Sequence, residues 1–372
     1  MTITNFSIEY DAINSKNSFT NGDAINGRII VEVSKETTIQ ALVFIAKGKA
    51  RVCWHEHYGQ NRHHVYWADE KYYEVKQHIL RESRQDGTEV IGQGRHVFPF
   101  TFTIPDRKIP SSFKHNIGKI VHKVRAELKQ SMRLTKRAKA YFTFVSKADM
   151  DIPGLMDPQY GCKDKSVRAF GSGNVSLDVH TKRMGYRQGD PIEVTLEITN
   201  NSSRAVKPKF ILYEKMSFFA QGRRRVNTHE ILKEKAKAVE ASSGKKTVTK
   251  MITIPKELLP SILNCAIIKL EYRLKIQLDI KYATDPEVKI PIVVLPEFSD
   301  VKQPPAATSS FGFEAFGNPK QPLSTTPQYA LPQAMWNTAP QPGVPSPMDP
   351  PPPYGAYAGY PSFPSDTYRN AL

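Results

Sequence analysis

Hydrophobic and polar residues alternate along most of this chain. "AINGRIIVEV" (24–33) sets Ile25, Gly27, Ile29, Val31 and Val33 on one side and mostly polar residues on the other. "GNVSLDVH" (173–180) and "IEVTLEIT" (192–199) repeat the pattern. A period of two is the side-chain period of a strand. Short alternating runs broken by Asn, Gly, Pro and Ser therefore predict the half-buried strands of a β-sandwich. One stretch is ambiguous. "THEILKEKAKAVE" (228–240) has helix formers and a cap-like Thr228, yet a charged edge strand accommodates the same residues. Its counterpart by order, "KYYEVKQHILRE" (71–82), reads as a strand, and a strand is expected at 228–240 too.

The pattern occurs twice. Gly22-Asp23-Ala24-Ile25 recurs as Gly189-Asp190-Pro191-Ile192, each opening an alternating run. "TIPDRKIPSS" (103–112) recurs as "TIPKELLPSI" (253–262), with both prolines at the same spacing, and "VRAELK" (124–129) as "LEYRLK" (270–275). Three signatures in the same order indicate a duplicated unit. Proline has no backbone donor, so each "TIP" is expected to end a strand. The expected boundaries are 1–150 for the first sandwich, 151–165 ("DIPGLMDPQYGCKDK") for a hinge, 166–298 for the second sandwich and 299–372 for a tail.

Composition separates body from tail. Residues 301–372 carry 16 of the 28 prolines, and their three cations (Lys302, Lys320, Arg369) balance three carboxylates (Glu314, Asp349, Asp366). Such a segment cannot bury a core and is expected to be disordered. The formal net charge of +16 over 372 residues therefore lies in the body, which should attract anionic partners. If 119–129 is a strand, Lys119, Lys123, Arg125 and Lys129 share one face. A second basic cluster is "GRRRV" (222–226). No stacking-aromatic module or basic recognition helix points to nucleic acid. "MTITNFSIEY" has neither the basic start nor the apolar core of a signal peptide, and "ALVFIA" (41–46) is far too short to span a membrane. The three cysteines, Cys53, Cys162 and Cys265, are an odd, small set that suits free thiols in a reducing compartment, so a cytoplasmic protein is expected.

These motifs carry a resemblance. The "GD-x-I" strands, "FTFTIP…IPSSF", "VRAEL", "PSILNC" and "EYRL", over about residues 5–298, are similar to the arrestin-domain-containing proteins, the alpha-arrestin branch of the arrestins, a branch that includes thioredoxin-interacting protein. The resemblance implies an all-β chain of two arrestin-like, immunoglobulin-like sandwiches in tandem with a flexible proline-rich tail. It also implies an adaptor that engages cytoplasmic regions of membrane receptors or transporters, and an anionic membrane surface is a further partner it allows.

The tail supplies the other half of that reading. Pro351-Pro352-Pro353-Tyr354 satisfies P-P-x-Y. Prolines pre-set a polyproline II helix of three residues per turn, which places Pro351 and Tyr354 one turn apart on the same edge. A WW domain offers an aromatic groove for the proline and a pocket for the tyrosine. Pro351, Pro352 and Tyr354 are thus the expected WW-binding residues. Alpha-arrestins use such motifs to recruit HECT-type ubiquitin ligases, so the resemblance implies cargo ubiquitination, endocytosis and endosomal transport, with recruitment to the plasma membrane and endosomes. "TPQY" (326–329) lacks the first proline and leaves a second site open.

The remaining candidates are weaker. "CWHEHYGQNRHH" (53–64) gathers Cys53, His55, His57, His63 and His64, but His55 and His57 are strand neighbours and no second cysteine closes a zinc site, so a solvated hairpin with exposed aromatics is expected and no metal. Cys265 carries an alternative reading from another class: a redox-linked signalling protein with a thioredoxin-like partner. A half-buried strand cysteine behaving as a small apolar residue explains the same position. No G-x-S-x-G or H-E-x-x-H occurs, and "GSG" (171–173) is too short to cradle a phosphate. Neither an enzyme nor a cofactor is expected.

Overall fold

The structure is a computed structural model describing residues 2–297 apart from 58, 60–62, 81–88, 168–172 and 282. The tail, with Pro351, Pro352, Tyr354 and "TPQY", lies outside the described residues, as does most of "GSG". Every element of regular structure among the described residues is a strand.

The first half contains eleven strands: β1 (Ile3–Tyr10), β2 (Ser18–Phe19), β3 (Ala24–Val33), β4 (Thr37–Ile39), β5 (Ala41–His57), β6 (His63–Leu80), β7 (Glu89–Ile91), β8 (Gly94–Thr103), β9 (Phe113–Lys114), β10 (Gly118–Lys129) and β11 (Lys136–Phe144). One sheet runs β1-β3-β8. The other runs β2-β11-β10-β5-β6 with β9 beside β10, and β4 pairs with β7. The second half contains nine: β12 (Gln159–Val167), β13 (Gly173–Thr181), β14 (Gly185–Arg187), β15 (Pro191–Asn200), β16 (Val206–Ala220), β17 (Arg223–Lys235), β18 (Gly244–Thr253), β19 (Ile268–Ile280) and β20 (Glu287–Leu295). Its sheets run β12-β13-β15-β18 and β14-β20-β19-β16-β17.

Duplication is visible atom by atom. Gly22 and Gly189 both turn in the left-handed region, at φ 80° and 84°, where L side chains are strained and glycine is not. Gly22 N–H donates to Ile104 O and Ile104 N–H to Asp23 O. Gly189 N–H donates to Ile254 O and Ile254 N–H to Asp190 O. The "GD" turn and the "TIP" strand end therefore clasp each other in both halves, which is why the motifs travel together. The Asp side chain closes the turn as well: Asp23 accepts from Thr20 N–H and Asp190 from Arg187 N–H. In each half a short strand runs parallel to a late one, β2 with β11 and β14 with β20.

Other expectations meet the structure as follows. Residues 228–235 of the ambiguous stretch form the second part of β17, an edge strand with no fully buried side chain, on which Ile231 and Leu232 are half-buried against the core. Residues 159–165 of the expected hinge lie in β12, paired along their length with β13. The hinge expectation had only a break in alternation to work from, and β12 is too polar to alternate.

Each half buries its own core. The first is built on Phe19, Ile29, Phe44, Phe100, Leu128 and Phe144. The second is continuous with residues of the first half: Val52, Trp54, Tyr66, Phe113 and Ile120 join Phe210, Phe218, Leu274 and Ile276. Thus one face of the far end of the β5–β6 hairpin packs into the second core, with the Trp54 and Tyr66 rings stacked at 5.4 Å, while Val65 and Trp67 on the other face stay exposed.

Candidate functional site

The site grows from strand β10. Its burial alternates with period two: Ile120, His122, Val124, Ala126 and Leu128 point into the core. The intervening residues, Lys119, Val121, Lys123, Arg125, Glu127 and Lys129, share the outer face. The structure thus places the four expected cations on one side of one strand. Directly opposed residues of antiparallel strands share a face. Register therefore puts Arg51, Lys49 and Lys47 of β5 beside Lys119, Val121 and Lys123. One strand further, β6 brings Asp69, Lys71, Glu74 and Lys76 opposite Arg51, Lys49, Lys47 and Ile45. On the other flank, Tyr141, Lys139 and Arg137 of β11 stand beside Lys123, Arg125 and Glu127.

Three carboxylates answer this charge. Asp69 takes a two-pronged contact from Arg51 at 2.7 and 2.8 Å, with Lys49 at 3.8 Å. Arg51 holds the Asp69 carboxyl below its usual range. Glu74 pairs with Lys47 and Lys71, both at 3.4 Å. Glu127 pairs with Arg137 at 3.0 Å and Arg125 at 3.2 Å. Lys76, Lys119, Lys123, Lys129 and Lys139 have no ion-pair partner among the described residues.

Cations outnumber these carboxylates at the centre of the face. Burial lowers the Lys123 ammonium below its ordinary value, and Arg125, Lys49 and Lys139 push the same way. The Tyr141 ring is the local counterweight, with Lys123 Nζ 6.0 Å and Lys139 Nζ 5.8 Å from its centroid. Arg125 Nε is buried without a hydrogen-bond acceptor among the described residues. An anion seated over Lys123 and Lys139 would relieve the like-charge repulsion, the arrangement that suits an acidic or phosphorylated peptide.

Alternation alone identified the β10 residues. Lys47, Lys49 and Arg51 were missed, because only sheet register shows that they flank β10, and register likewise sets Lys139 beside Arg125. Lys47, Lys49 and Arg51 do alternate in sequence, which was the available signal. The "GRRRV" cluster lies elsewhere, at the start of β17 in the second sandwich. There Arg224 stacks over Phe219 at 5.5 Å and donates to Ser217 Oγ.

Two family models match the chain: the N-terminal domain of "Arrestin (or S-antigen)" over residues 6–151 and its C-terminal domain over 171–297. The chain belongs to the arrestin family. Arrestin domain-containing protein 4 of Mus musculus is 27% identical over 329 residues, covering 85% of this chain and 79% of the relative. Thioredoxin-interacting protein of Homo sapiens is 26% identical over 279 residues, 73% of this chain and 70% of the relative. Both relatives are alpha-arrestins, as the motifs implied, and the two tandem sandwiches are the arrestin N- and C-domains. Arrestin-fold proteins are generally adaptors that bind other proteins.

In this arrestin Cys265 sits between the domains. The β5–β6 register slips at Gly48/Lys49, leaving Tyr72 as the extra residue of a bulge. A bulge re-aims a side chain, and the Tyr72 hydroxyl donates to Cys265 Sγ at 3.1 Å. Glu70 accepts the Ala266 N–H at 2.8 Å and faces the thiol at 3.5 Å. Cys265 is fully buried, and burial pushes its thiol up, disfavouring the thiolate that redox exchange requires. Cys53 and Cys162 are the exposed thiols.

Proposed function

We propose that this arrestin is an adaptor that brings membrane-protein cargo to a WW-domain-containing HECT-type ubiquitin ligase. The observation that carries the cargo half is the outer face of β5, β6, β10 and β11, where eleven cations surround Asp69, Glu74 and Glu127. That face suits acidic or phosphorylated cytoplasmic segments of receptors or transporters. The ligase half rests on Pro351, Pro352 and Tyr354 in the proline-rich tail. Two modest contacts on one chain raise the ligase's effective concentration at the cargo, with ubiquitination, endocytosis and endosomal sorting as the outcome. The protein would then work in the cytoplasm and be recruited to the plasma membrane and endosomes.

A labelled peptide spanning 340–365, titrated against a WW domain, tests the ligase half. Full burial of a tyrosine's roughly 150–250 Å² is worth at most about 4–6 kcal/mol. Ordering and partial docking reduce this, so Tyr354→Ala is expected to lose about 2 kcal/mol, near thirtyfold. Undiminished binding by the alanine peptide removes the ligase from the reading. The redox alternative through Cys265 is weakened by that residue's burial and raised pKa. Ligase pulldown that ignores reductant and survives Cys265→Ser separates the two readings.

A further inference from the structure

The turn joining β10 to β11, residues 130–135 ("QSMRLT"), presents Met132 and Leu134 at 103% and 93% exposure. The next most exposed large hydrophobic side chain among the described residues is Tyr160, at 76%. Two aliphatic side chains fully in water, two positions apart, bury nothing in the described fold.

The turn is nevertheless held in place. Gln40 N–H donates to Lys129 O at 2.9 Å, and Gln130 Nε2 to Thr37 Oγ1 at 3.2 Å. Arg133 Nη1 donates to Thr2 Oγ1 at 3.1 Å and Lys136 Nζ to Ile3 O at 2.9 Å. Met132 itself adopts φ 51°, a left-handed conformation uncommon for a residue with a side chain. The chain therefore keeps two apolar side chains at the tip of an anchored turn.

Their surroundings choose the occupant. Between Glu127 and Asp149 there is no acidic residue, while Lys129, Arg133 and Lys136 lie in or beside the turn, and Arg137, one residue further, pairs with Glu127. The neighbouring β3–β4 turn adds Lys35 together with one exposed acid, Glu36. Aliphatic side chains projecting from a collar of cations match a bilayer with anionic headgroups: the side chains enter the acyl boundary and the cations meet the phosphates.

We propose that this turn is a membrane-insertion wedge, with Met132 and Leu134 entering an anionic leaflet and Lys129, Arg133 and Lys136 pairing with its headgroups. The wedge shares Lys129 with the basic face but does not rest on the cargo reading. From Lys129 to Lys119 is ten residues of strand, about 33 Å at roughly 3.3 Å per residue. That exceeds the Debye length of about 8 Å at physiological salt. With the tip in the bilayer, Lys119 and Lys123 stand clear of the headgroups and remain open to a peptide.

The test is co-sedimentation of the full chain with vesicles of phosphatidylcholine and phosphatidylserine, and with phosphatidylcholine alone. Each CH₂ withdrawn from water contributes about fourfold in partitioning. Met132→Ser with Leu134→Ser is therefore expected to lower binding to the anionic vesicles by at least about tenfold. Both side chains are fully exposed, so the fold does not depend on them. Lys129→Glu with Arg133→Glu should abolish the preference for anionic vesicles. Leu134→Trp should be quenched by brominated lipid in those vesicles, reporting insertion directly. Lys119→Glu with Lys123→Glu should leave vesicle binding unchanged while weakening an acidic peptide. Failure of that peptide effect bears on the cargo reading alone. The wedge is overturned if the full chain does not sediment with anionic vesicles. It is equally overturned if the double serine variant sediments as well as the parent, if Leu134→Trp is not quenched, or if vesicle binding follows Lys119 and Lys123.

Discussion

Lowering the pH should loosen the arrestin N-domain mainly through His122; burial also lowers the pKa of His115, which lies nearer the second sandwich and acts in the same direction. The His122 imidazole is 1% exposed, in the core side of β10. Nε2 donates to Pro110 O at 3.1 Å, so Nδ1 is the acceptor, and it receives the Tyr73 hydroxyl at 3.0 Å. Phe144 packs on the ring at 4.7 Å. Both nitrogens are satisfied in the neutral form, and a proton would put a charge among aromatic rings. Burial accordingly pushes the pKa down from 6.5 to about 4. A histidine depressed in the folded state contributes its full stability above about pH 6.5 and loses it as pH falls toward 4, because the unfolded chain binds the proton first. The interval of about 2.5 units, at roughly 1.36 kcal/mol each, corresponds to about 3.4 kcal/mol, of which about 2 kcal/mol is gone by pH 5. Asp69, whose carboxyl is held low by Arg51, acts below its ordinary value of 3.8 and so outside this window. The assay is native-state hydrogen exchange at pH 7, 6 and 5, corrected for intrinsic rates and read on peptides from β5 and β10. Peptides from β19 and β20, which contain no histidine, are the reference. His122→Gln keeps an amide donor and acceptor but cannot titrate in this range, and should flatten the profile while costing stability at every pH. An equal fall in β10 protection in the parent and His122→Gln would refute the reasoning.

Three further outcomes are expected. Reversing Lys119 and Lys123 to Glu should weaken a phosphorylated cargo peptide at least about tenfold at low salt and progressively less as salt rises, measured by fluorescence anisotropy; a salt-independent effect would count against the basic face. Gly27→Ala should cost about 2–3 kcal/mol in chemical denaturation, since the new Cβ would lie 2.2 Å from Glu9 O and 2.5 Å from the Phe100 ring; full stability would show that the strands part more easily than their contacts suggest. Asn200 is fully buried, donates through Nδ2 to the carbonyls of Arg204, Val239 and Glu240, and accepts from Ser202 N–H and Oγ. Asn200→Leu leaves those groups unsatisfied and should destabilise the C-domain by about 3 kcal/mol or more, with no change in N-domain exchange.

The local pattern of the sequence determined the strands, the duplication and the sidedness of β10, because a period of two is a property of consecutive residues. Lys119, Lys123, Arg125 and Lys129 could be put on one face without knowing any neighbouring strand. Gly22-Asp23 and Gly189-Asp190 were legible for the same reason, since a left-handed turn demands glycine wherever it occurs. The tertiary structure decided everything that depends on register. It set Lys47, Lys49, Arg51 and Lys139 beside β10, and it paired β12 with β13 despite the polar character of β12. A single slip between β5 and β6 sent Tyr72 out of alternation toward Cys265. It also decided burial. His122 and Cys265 look like ordinary strand residues in sequence, yet one is enclosed by Tyr73, Phe144 and Pro110 and the other by Tyr72 and the second domain. Those neighbours lie from about 12 to nearly 200 residues away along the chain, and no local period carries information over such distances. The exposure of Met132 and Leu134 belongs to the same class, because an apolar pair in a turn is core or wedge according to what folds over it.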